Sequence, residues 1–251
     1  IGPGILLDQG AAVVALAAAD MDLDGDIDII AVRDDRIVWL ENVDLKLQAP
    51  VELTTSSLGM EDLEIGDVDG DGKLDVVVVV AGEGRVVWHA GGLGFLKGRE
   101  VITDAGGAIA VELGDVDGDG IVDVLWADPS TNTVAWSTFV DGVAVHGGDI
   151  STNASGVRAL QALDMDGDGL TDVAWVTDDD KVMWASNVGA GFSAPMVLGT
   201  NQATLMLAAD LDGDGDPDLI TAGEFDDTLS WYVNLGGSFG AEWAIPSEST
   251  P

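Results

Sequence analysis

One nine-residue pattern constrains this chain more than any other feature: Asp-x-Asp-x-Asp-Gly-x-x-Asp. It occurs five times, as Asp20 to Asp28, Asp67 to Asp75, Asp115 to Asp123, Asp164 to Asp172 and Asp210 to Asp218. The first Asp steps by 47, 48, 49 and 46 residues. A tryptophan follows each loop at a near-constant offset: Trp39, Trp88, Trp136, Trp184 and Trp231. Two independent markers that keep one period make the chain a tandem repeat. Such units stack because none can bury its apolar face alone.

Within each period the pattern is β. An apolar run precedes the loop (Val13 to Ala19; Leu160 to Leu163), and a β-branched run follows it (Ile27 to Val32; Leu74 to Val80). A short Asp- or Gly-rich turn comes next, at Asp34-Asp35, Gly82-Glu83-Gly84 or Asp178-Asp179-Asp180. A third strand carries the Trp (Arg85 to His89; Lys181 to Trp184), and a fourth closes the unit (Val51 to Leu53; Glu100 to Thr103; Pro195 to Leu198). No segment has the 3.6-residue period of a helix. Four short strands per period of about 48 residues predict an all-β fold, a β-propeller of five four-stranded blades with one loop each. The blade units run 11–54, 55–104, 105–152, 153–200 and 201–246, in one domain over 1–246. Trp243 to Ile245 already supplies the fifth unit's last strand, so Ile5-Leu6-Leu7 within residues 1–10 is expected to close the ring against that blade. The alternative is an open array whose neighbours lie in sequence beyond these residues. The ending Pro246-Ser-Glu-Ser-Thr-Pro251 makes 247–251 a linker-like tail. With Ile1 in place of an initiator Met, it points to a processed chain or a piece of a longer one.

Carboxylates at positions 1, 3 and 5 of a tight loop converge on one point. A backbone carbonyl at position 7 joins them, the Asp at position 9 completes the shell, and Gly at position 6 permits the reversal. The expected ligands are Asp20, Asp22, Asp24, Asp26 and Asp28; Asp67, Asp69, Asp71, Lys73 and Asp75; Asp115, Asp117, Asp119, Ile121 and Asp123; Asp164, Asp166, Asp168, Leu170 and Asp172; and Asp210, Asp212, Asp214, Asp216 and Asp218. Asp26, Lys73, Ile121, Leu170 and Asp216 would act through their carbonyls. Hard oxygen donors in this number suit Ca²⁺ better than Mg²⁺, so five Ca²⁺ ions are expected. An EF-hand needs Glu at position 12 and flanking helices. Position 12 here is Ala31, Val78, Trp126, Trp175 or Thr221, and strand residues follow, so that reading fails.

These loops hold 20 of the 46 acidic residues as ligands, in a chain with formal charge -37. Four like charges in one loop repel unless a cation sits among them. The role expected for the metal is structural. Extracellular calcium modules bind at about 10⁻⁴–10⁻³ M, which leaves such sites empty in a cytosol and filled outside the cell. That is the argument for an extracellular or cell-surface location.

Composition removes other classes. Nine dispersed Lys and Arg residues make no basic patch, which argues against nucleic acid as a partner. An anionic bilayer would repel the chain, and no apolar run approaches the length of a membrane span, so no membrane insertion is expected. The absence of cysteine excludes disulfides and thiolate chemistry. An apolar content of 47% excludes a disordered acidic tail.

The loops, the β-branched strands after them and the segments Trp39-Leu-Glu-Asn42, Trp184-Ala-Ser-Asn187 and Trp231-Tyr-Val-Asn234 resemble FG-GAP/VCBS repeats. These are the repeats of propellers like those of integrin α-subunits and of many secreted proteins. The resemblance covers residues about 11 to 246. The Phe of the family name is present at Phe95, Phe192 and Phe239, with aliphatic residues near Leu47 and Val143 instead. The resemblance implies a Ca²⁺-stabilised propeller used for adhesion or recognition, commonly with seven blades, and five repeats depart from that number.

The five repeat tryptophans are best read as packing between blades. Trp126 and Trp175, on the second strand of two blades only, are less regular; core packing is the first reading for them too, and stacking on a ligand such as a sugar is the alternative. His89 and His146 have no Ser or Cys partner pattern, so a triad is not expected. Asn153-Ala154-Ser155 is a glycosylation sequon with Asn153 as acceptor. Gly70-Asp-Gly72 and its equivalents lack the helix and the Lys of a phosphate loop. Arg33, Arg36, Arg85 and Arg99 would be the cations of a polysaccharide-acting hydrolase or lyase, but their repeat positions suggest outer-strand edges instead. The reading this leads to is a non-catalytic calcium-binding module for adhesion, recognition or assembly within a larger surface protein or filament. Its partner would be a protein or an extracellular glycan. The first rival is a calcium-stabilised lectin.

Overall fold

The computed structural model describes residues 12–33, 36–53, 59–92, 98–102, 107–140, 143–224 and 227–245, with 98–102 described by backbone alone. The expected closing strand in 1–10, the tail 247–251, the turn at Asp34-Asp35 and Phe95 lie outside the described residues.

The described chain is all-β, apart from one 3₁₀ turn at Ala81–Glu83. It forms five four-stranded antiparallel sheets in sequence order. Sheet one holds Val13–Ala19, Asp28–Arg33, Arg36–Leu40 and Val51–Glu52. Sheet two holds Met60–Gly66, Asp75–Val80, Arg85–His89 and Gly98–Ile102. Sheet three holds Ala110–Gly114, Asp123–Asp128, Thr133–Val140 and Val143–Ser151. Sheet four holds Val157–Leu163, Asp172–Thr177, Lys181–Ala185 and Met196–Thr200. Sheet five holds Leu205–Ala209, Asp218–Gly223, Thr228–Tyr232 and Trp243–Ala244. Each acidic loop joins the first strand of its sheet to the second. A further hairpin, Asn42–Val43 with Lys46–Leu47, turns through Asp44 and Leu45, both at positive φ.

Successive sheets lie face to face and approach through their first strands. The second strands of sheets two, three and four are buried on both faces, which is why they read as nearly unbroken apolar runs such as Val76–Val80. Alternation sends Val76, Val78 and Val80 toward Ile30 and Val32 of sheet one. Val77 and Val79 face Val124 and Trp126 of sheet three. Leu125 and Ala127 meet Val173 and Trp175 of sheet four. Ala174 and Val176 meet Leu219 and Tyr232 of sheet five. The core is therefore a series of layers between sheets.

Four of the repeat tryptophans, Trp39, Trp88, Trp136 and Trp184, belong to those layers. Trp88 meets Phe139 of the next sheet edge-on at 5.3 Å between ring centroids, and Trp184 meets Phe239 at 5.4 Å. The expectation for Trp126 and Trp175 is corrected here. They are 4% and 1% exposed, at the position of the second strand that faces the preceding sheet. Their rings serve as the wide filler between two sheets, and Trp175 also forms part of the floor of the cleft beside Asn153. Trp243, 64% exposed on the last strand, is the open indole.

Truncating a fully buried indole leaves a cavity that neighbouring sheets cannot close. Trp175→Ala is expected to cost about 3–5 kcal/mol in denaturant unfolding, whereas Trp243→Ala should stay within about 0.5 kcal/mol. Equal, small losses would contradict the packing role of Trp175.

Candidate metal loops

Each loop is a ladder of side-chain to backbone hydrogen bonds. The first Asp accepts the N–H of the glycine at position 6: Gly25 to Asp20 at 2.9 Å, Gly72 to Asp67 at 2.8 Å, Gly120 to Asp115 at 2.9 Å, Gly169 to Asp164 at 2.9 Å and Gly215 to Asp210 at 3.1 Å. The third-position Asp accepts the N–H of position 5, and the fifth accepts that of position 7. These turns hold one oxygen of each carboxylate and direct the group inward. The glycine at position 6 sits at φ between +82° and +102° in all five loops, a region costly for other residues.

Three carboxylates per loop place one oxygen each within 4.8 Å of the others. The trios are Asp20, Asp22 and Asp24; Asp67, Asp69 and Asp71; Asp115, Asp117 and Asp123; Asp164, Asp166 and Asp172; and Asp210, Asp212 and Asp214. Positions 1 and 3 are thus common to all. Position 5 joins them in the first, second and fifth loops, and position 9 in the third and fourth. A trio of oxygens this close, all from carboxylates, fits a hard divalent cation and repels itself without one. In the second loop Lys73 binds the Asp71 carboxylate, and that hydrogen bond holds Asp71 below the usual carboxylate range.

Position 9 does more than the spacing foretold. Asp28, Asp75, Asp123, Asp172 and Asp218 are at most 1% exposed. One oxygen of each accepts the N–H of loop position 2, from Met21, Val68, Val116, Met165 and Leu211. In four sheets the other oxygen accepts an N–H just past the tryptophan strand, from Asn42, Gly91, Asn187 and Asn234. Burial pushes Asp123 and Asp172 up to about 6, with neighbouring loop carboxylates adding to the effect.

Two functional features were missed by reading the spacing alone. First, the asparagine of the Trp-x-x-Asn segment ties a sheet to the previous loop. Asn187 donates to the Val116 carbonyl at 2.7 Å, and Asn234 to the Met165 carbonyl at 2.6 Å. The recurrence of Asn three residues after Trp was the available signal. Second, the first strands carry a row of half-buried polar groups. Asp62 accepts the N–H of Val111, Glu112 accepts from the Gln161 amide at 2.7 Å, and Gln161 accepts the N–H of Ala208. Burial, then the charge of Asp62, pushes Glu64 up to about 7. Burial, then Glu64 and Asp62, pushes Glu112 up to about 8.

The remaining candidates are scattered. Arg36 pairs with Glu52 and Arg85 with Glu83, each within its own sheet. Arg99 lies in the strand described by backbone alone. His89 is 9% exposed and burial pulls it down to about 4, while exposed His146 lies 3.4 Å from Asp149. Asn153 is exposed in the bend between sheets three and four. It lies on the rim of a cleft of about 490 Å³ that Thr152, Thr177, Lys181, Met183 and Pro195 also line. No helix among the described residues is long and apolar enough to cross a membrane.

Two outcomes follow from these contacts. Asn187→Ala strands a buried carbonyl and should cost about 1–3 kcal/mol in chemical denaturation; a loss near zero would remove the tie. Glu64 and Glu112 take up protons on folding, since their folded values exceed the ordinary value of 4.5. Their contribution is complete below that ordinary value and is lost as pH rises through about 7 to 8. Thermal unfolding in saturating calcium should therefore drop from pH 6 to 9, and Glu112→Gln should flatten the drop.

Comparison with known proteins agrees with this geometry. The sequence model of the FG-GAP-like repeat matches residues 20–78, 67–126, 115–175 and 164–221. Each match runs from one acidic loop through the next, so four matches link the five loops. No curated protein matches the chain in sequence. Among solved structures, BBS1N in complex with ARL6DN is similar at TM-score 0.64 and 13% identity, over 93% of this chain and 69% of that one. A mutant of AofleA from Arthrobotrys oligospora is similar at TM-score 0.61 and 13% identity, over 94% and 73%. The V. cholerae biofilm matrix protein Bap1 is similar at TM-score 0.55 and 20% identity, over 96% of this chain and 40% of Bap1. These likenesses establish the arrangement of sheets. With its repeat matched from the first acidic loop to the last, the chain belongs to the FG-GAP-like repeat family.

Proposed function

We propose that this chain is a non-catalytic, calcium-loaded module that works outside the cell in adhesion, recognition or assembly. The observation that carries the reading is the set of five carboxylate trios, each with oxygens within 4.8 Å, one at the first turn of every sheet. Side chains at positions 1, 3, 5 and 9 and the carbonyls of Asp26, Lys73, Ile121, Leu170 and Asp216 would complete an oxygen cage around Ca²⁺. The ion supplies charge, and the residues supply position. Because Asp at position 9 also fixes the second strand and the segment after the tryptophan, ion binding would stiffen the sheet as well as its loop. Five ions would take the formal charge from -37 to -27. A partner of protein character is supported by the company this fold keeps: BBS1N is seen in complex with ARL6DN, and Bap1 is a biofilm matrix protein.

A glycan is the second reading, and the cleft beside Asn153 favours it. Its hydroxyl and amide side chains, with Lys181 and Asp179, suit a polyhydroxylated ligand. A sugar attached at Asn153 itself would compete for that space.

Equilibrium dialysis against Ca²⁺ is expected to give about five sites per chain. Asp115→Ala should remove one of them. If each site has a Kd near 10 μM, 1 mM Ca²⁺ adds about 2.7 kcal/mol per site, read as a rise in Tm over chelated protein. Mg²⁺ should not reproduce it. A chain that binds no calcium and melts identically in chelator would overturn the reading. A glycan array run with and without chelator separates the two partners: selective, chelator-sensitive binding establishes the lectin.

A further inference from the structure

The cleft beside Asn153 has walls that the fold holds in place. One wall is the bend 152–156 between sheets three and four. Ala154 of that bend is buried, and its N–H donates to the Asn132 carbonyl at 2.8 Å. The Gly156 N–H donates to the Asn132 side chain at 3.2 Å. On the other flank the Asp178 N–H donates to the carbonyls of Ser155 and Gly156, both at 2.9 Å. Gly156 is at positive φ, and a Cβ there would lie 2.1 Å from the Asp178 carboxylate, so the bend meets the turn this closely only with glycine. A cleft built in this way needs little ordering when it binds. Its volume of about 490 Å³ falls within the ~300–1,000 Å³ of small-ligand sites.

The turn Asp178-Asp179-Asp180 divides its charges. Asp178 pairs with Arg158 at 2.7 Å, and Asp180 lies 3.8 Å from the same guanidinium. Asp179 lines the cleft instead. Buried Thr177 donates its hydroxyl to one Asp179 oxygen at 2.6 Å, and Lys181 binds the other. These donors, Lys181 first, hold Asp179 below the usual carboxylate range. A fixed carboxylate and ammonium therefore stand side by side, and such a pair can accept from one hydroxyl and donate to its neighbour. At the floor, the Trp175 Nε1–H has no hydrogen-bond partner among the described residues, and a ligand oxygen would give it one. Met183, Pro195 and Val197 supply an apolar wall for C–H groups.

The next joint shows what chemistry this place accepts. Thr221, Ser230 and Glu242 of sheet five stand at the repeat positions of Trp175, Met183 and Pro195, and Asn201 follows the last strand of sheet four as Thr152 follows that of sheet three. There the groups bond to one another. The Asn201 amide donates to Thr221 at 2.9 Å and to Glu242 at 3.3 Å, and Ser230 donates to Glu242 at 2.6 Å. The Tyr232 hydroxyl accepts from Asn201 at 2.9 Å, where sheet four has only Ala185. Hydroxyl, amide and carboxylate groups thus close between sheets four and five a place that is a cleft between sheets three and four.

We propose that this cleft is a binding site for a neutral sugar, which Asp179 and Lys181 grip through two adjacent hydroxyls above the Trp175 N–H. The sugar is neutral because a chain of formal charge -37 repels uronic and sulfated ones, and Lys181 is already matched by Asp179. None of the lining residues is an acidic-loop carboxylate, and the turn that carries Asp179 is at the opposite end of sheet four from the loop Asp164 to Asp172. Calcium would steady the sheets without touching the sugar. The inference deepens the glycan reading above and rests on it.

The test uses calcium-loaded protein made in bacteria, with Asn153 unmodified and the folding of each variant checked by its Tm. The probes are neutral oligosaccharides of glucose, galactose, mannose and xylose, with oligogalacturonate as the charged control. Binding is read by titration calorimetry and by the indole N–H resonance of Trp175. A neutral probe should bind and shift that resonance, and oligogalacturonate should do neither. Asp179→Asn keeps the shape and should weaken binding about tenfold or more. Val197→Trp fills the cleft from its rim and should abolish binding. Both positions are exposed, so both variants should fold. Binding that both variants retain, with Trp175 unmoved, places the sugar elsewhere: it overturns this site and leaves the glycan reading standing. A preference for oligogalacturonate overturns the neutral class. If no probe binds folded, calcium-loaded protein, the site and the glycan reading fall together and the protein-partner reading stands.

Discussion

The carboxylate at the ninth loop position is the contact on which the rest of each sheet depends. Asp75 shows the arrangement. It opens the second strand, accepts the Val68 N–H with one oxygen and accepts the Gly91 N–H with the other. One buried side chain therefore joins the loop, the central strand and the segment that follows the tryptophan. A buried carboxylate with no hydrogen bonds would be costly, and these N–H groups offset that cost. The remaining loop carboxylates then have little freedom, and their oxygens are held within reach of a common point. The convergence of the carboxylates and the strand geometry are consequently one property of the repeat.

Stacking supplies the stability that a single sheet lacks. The second strands of sheets two, three and four are covered on both sides, and their alternation assigns successive residues to different neighbours. Val76 belongs with sheet one and Val77 with sheet three, although they are adjacent in sequence. Tryptophans and Phe139 or Phe239 fill the space where sheets diverge. The polar row through Asp62, Glu112 and Gln161 runs where the first strands approach most closely, and it connects sheets two to five through side chains.

Much of this was legible in the chain itself. The period, the five acidic loops and the strands Val13–Ala19 and Arg85–His89 fall where periodicity places them. Trp126 and Trp175 did not: one sequence gives no sign of whether a tryptophan on a doubly covered strand looks into a joint or a binding site. Their neighbours Val124 and Val173 were as apolar as those of any exposed platform. Glu112 likewise reads as one more acid among 46, and only its burial in the fold, and then Glu64 and Asp62 beside it, push it up to about 8.

By itself, the sequence determined what is local. Short-range sterics and hydrogen bonding within nine residues fix the acidic loop, and alternation over five or six residues fixes the strands. The tertiary structure decided what is distant: which face of a sheet is covered, which carbonyl Asn187 reaches 71 residues away, and which leucines remain in solvent. The physical reason is that identical repeats carry the same local code, whereas burial depends on whether a neighbour is present. Leu16 and Leu63 occupy the same place in their repeats, and only the sheet packed against Leu63 separates 3% from 67% exposure.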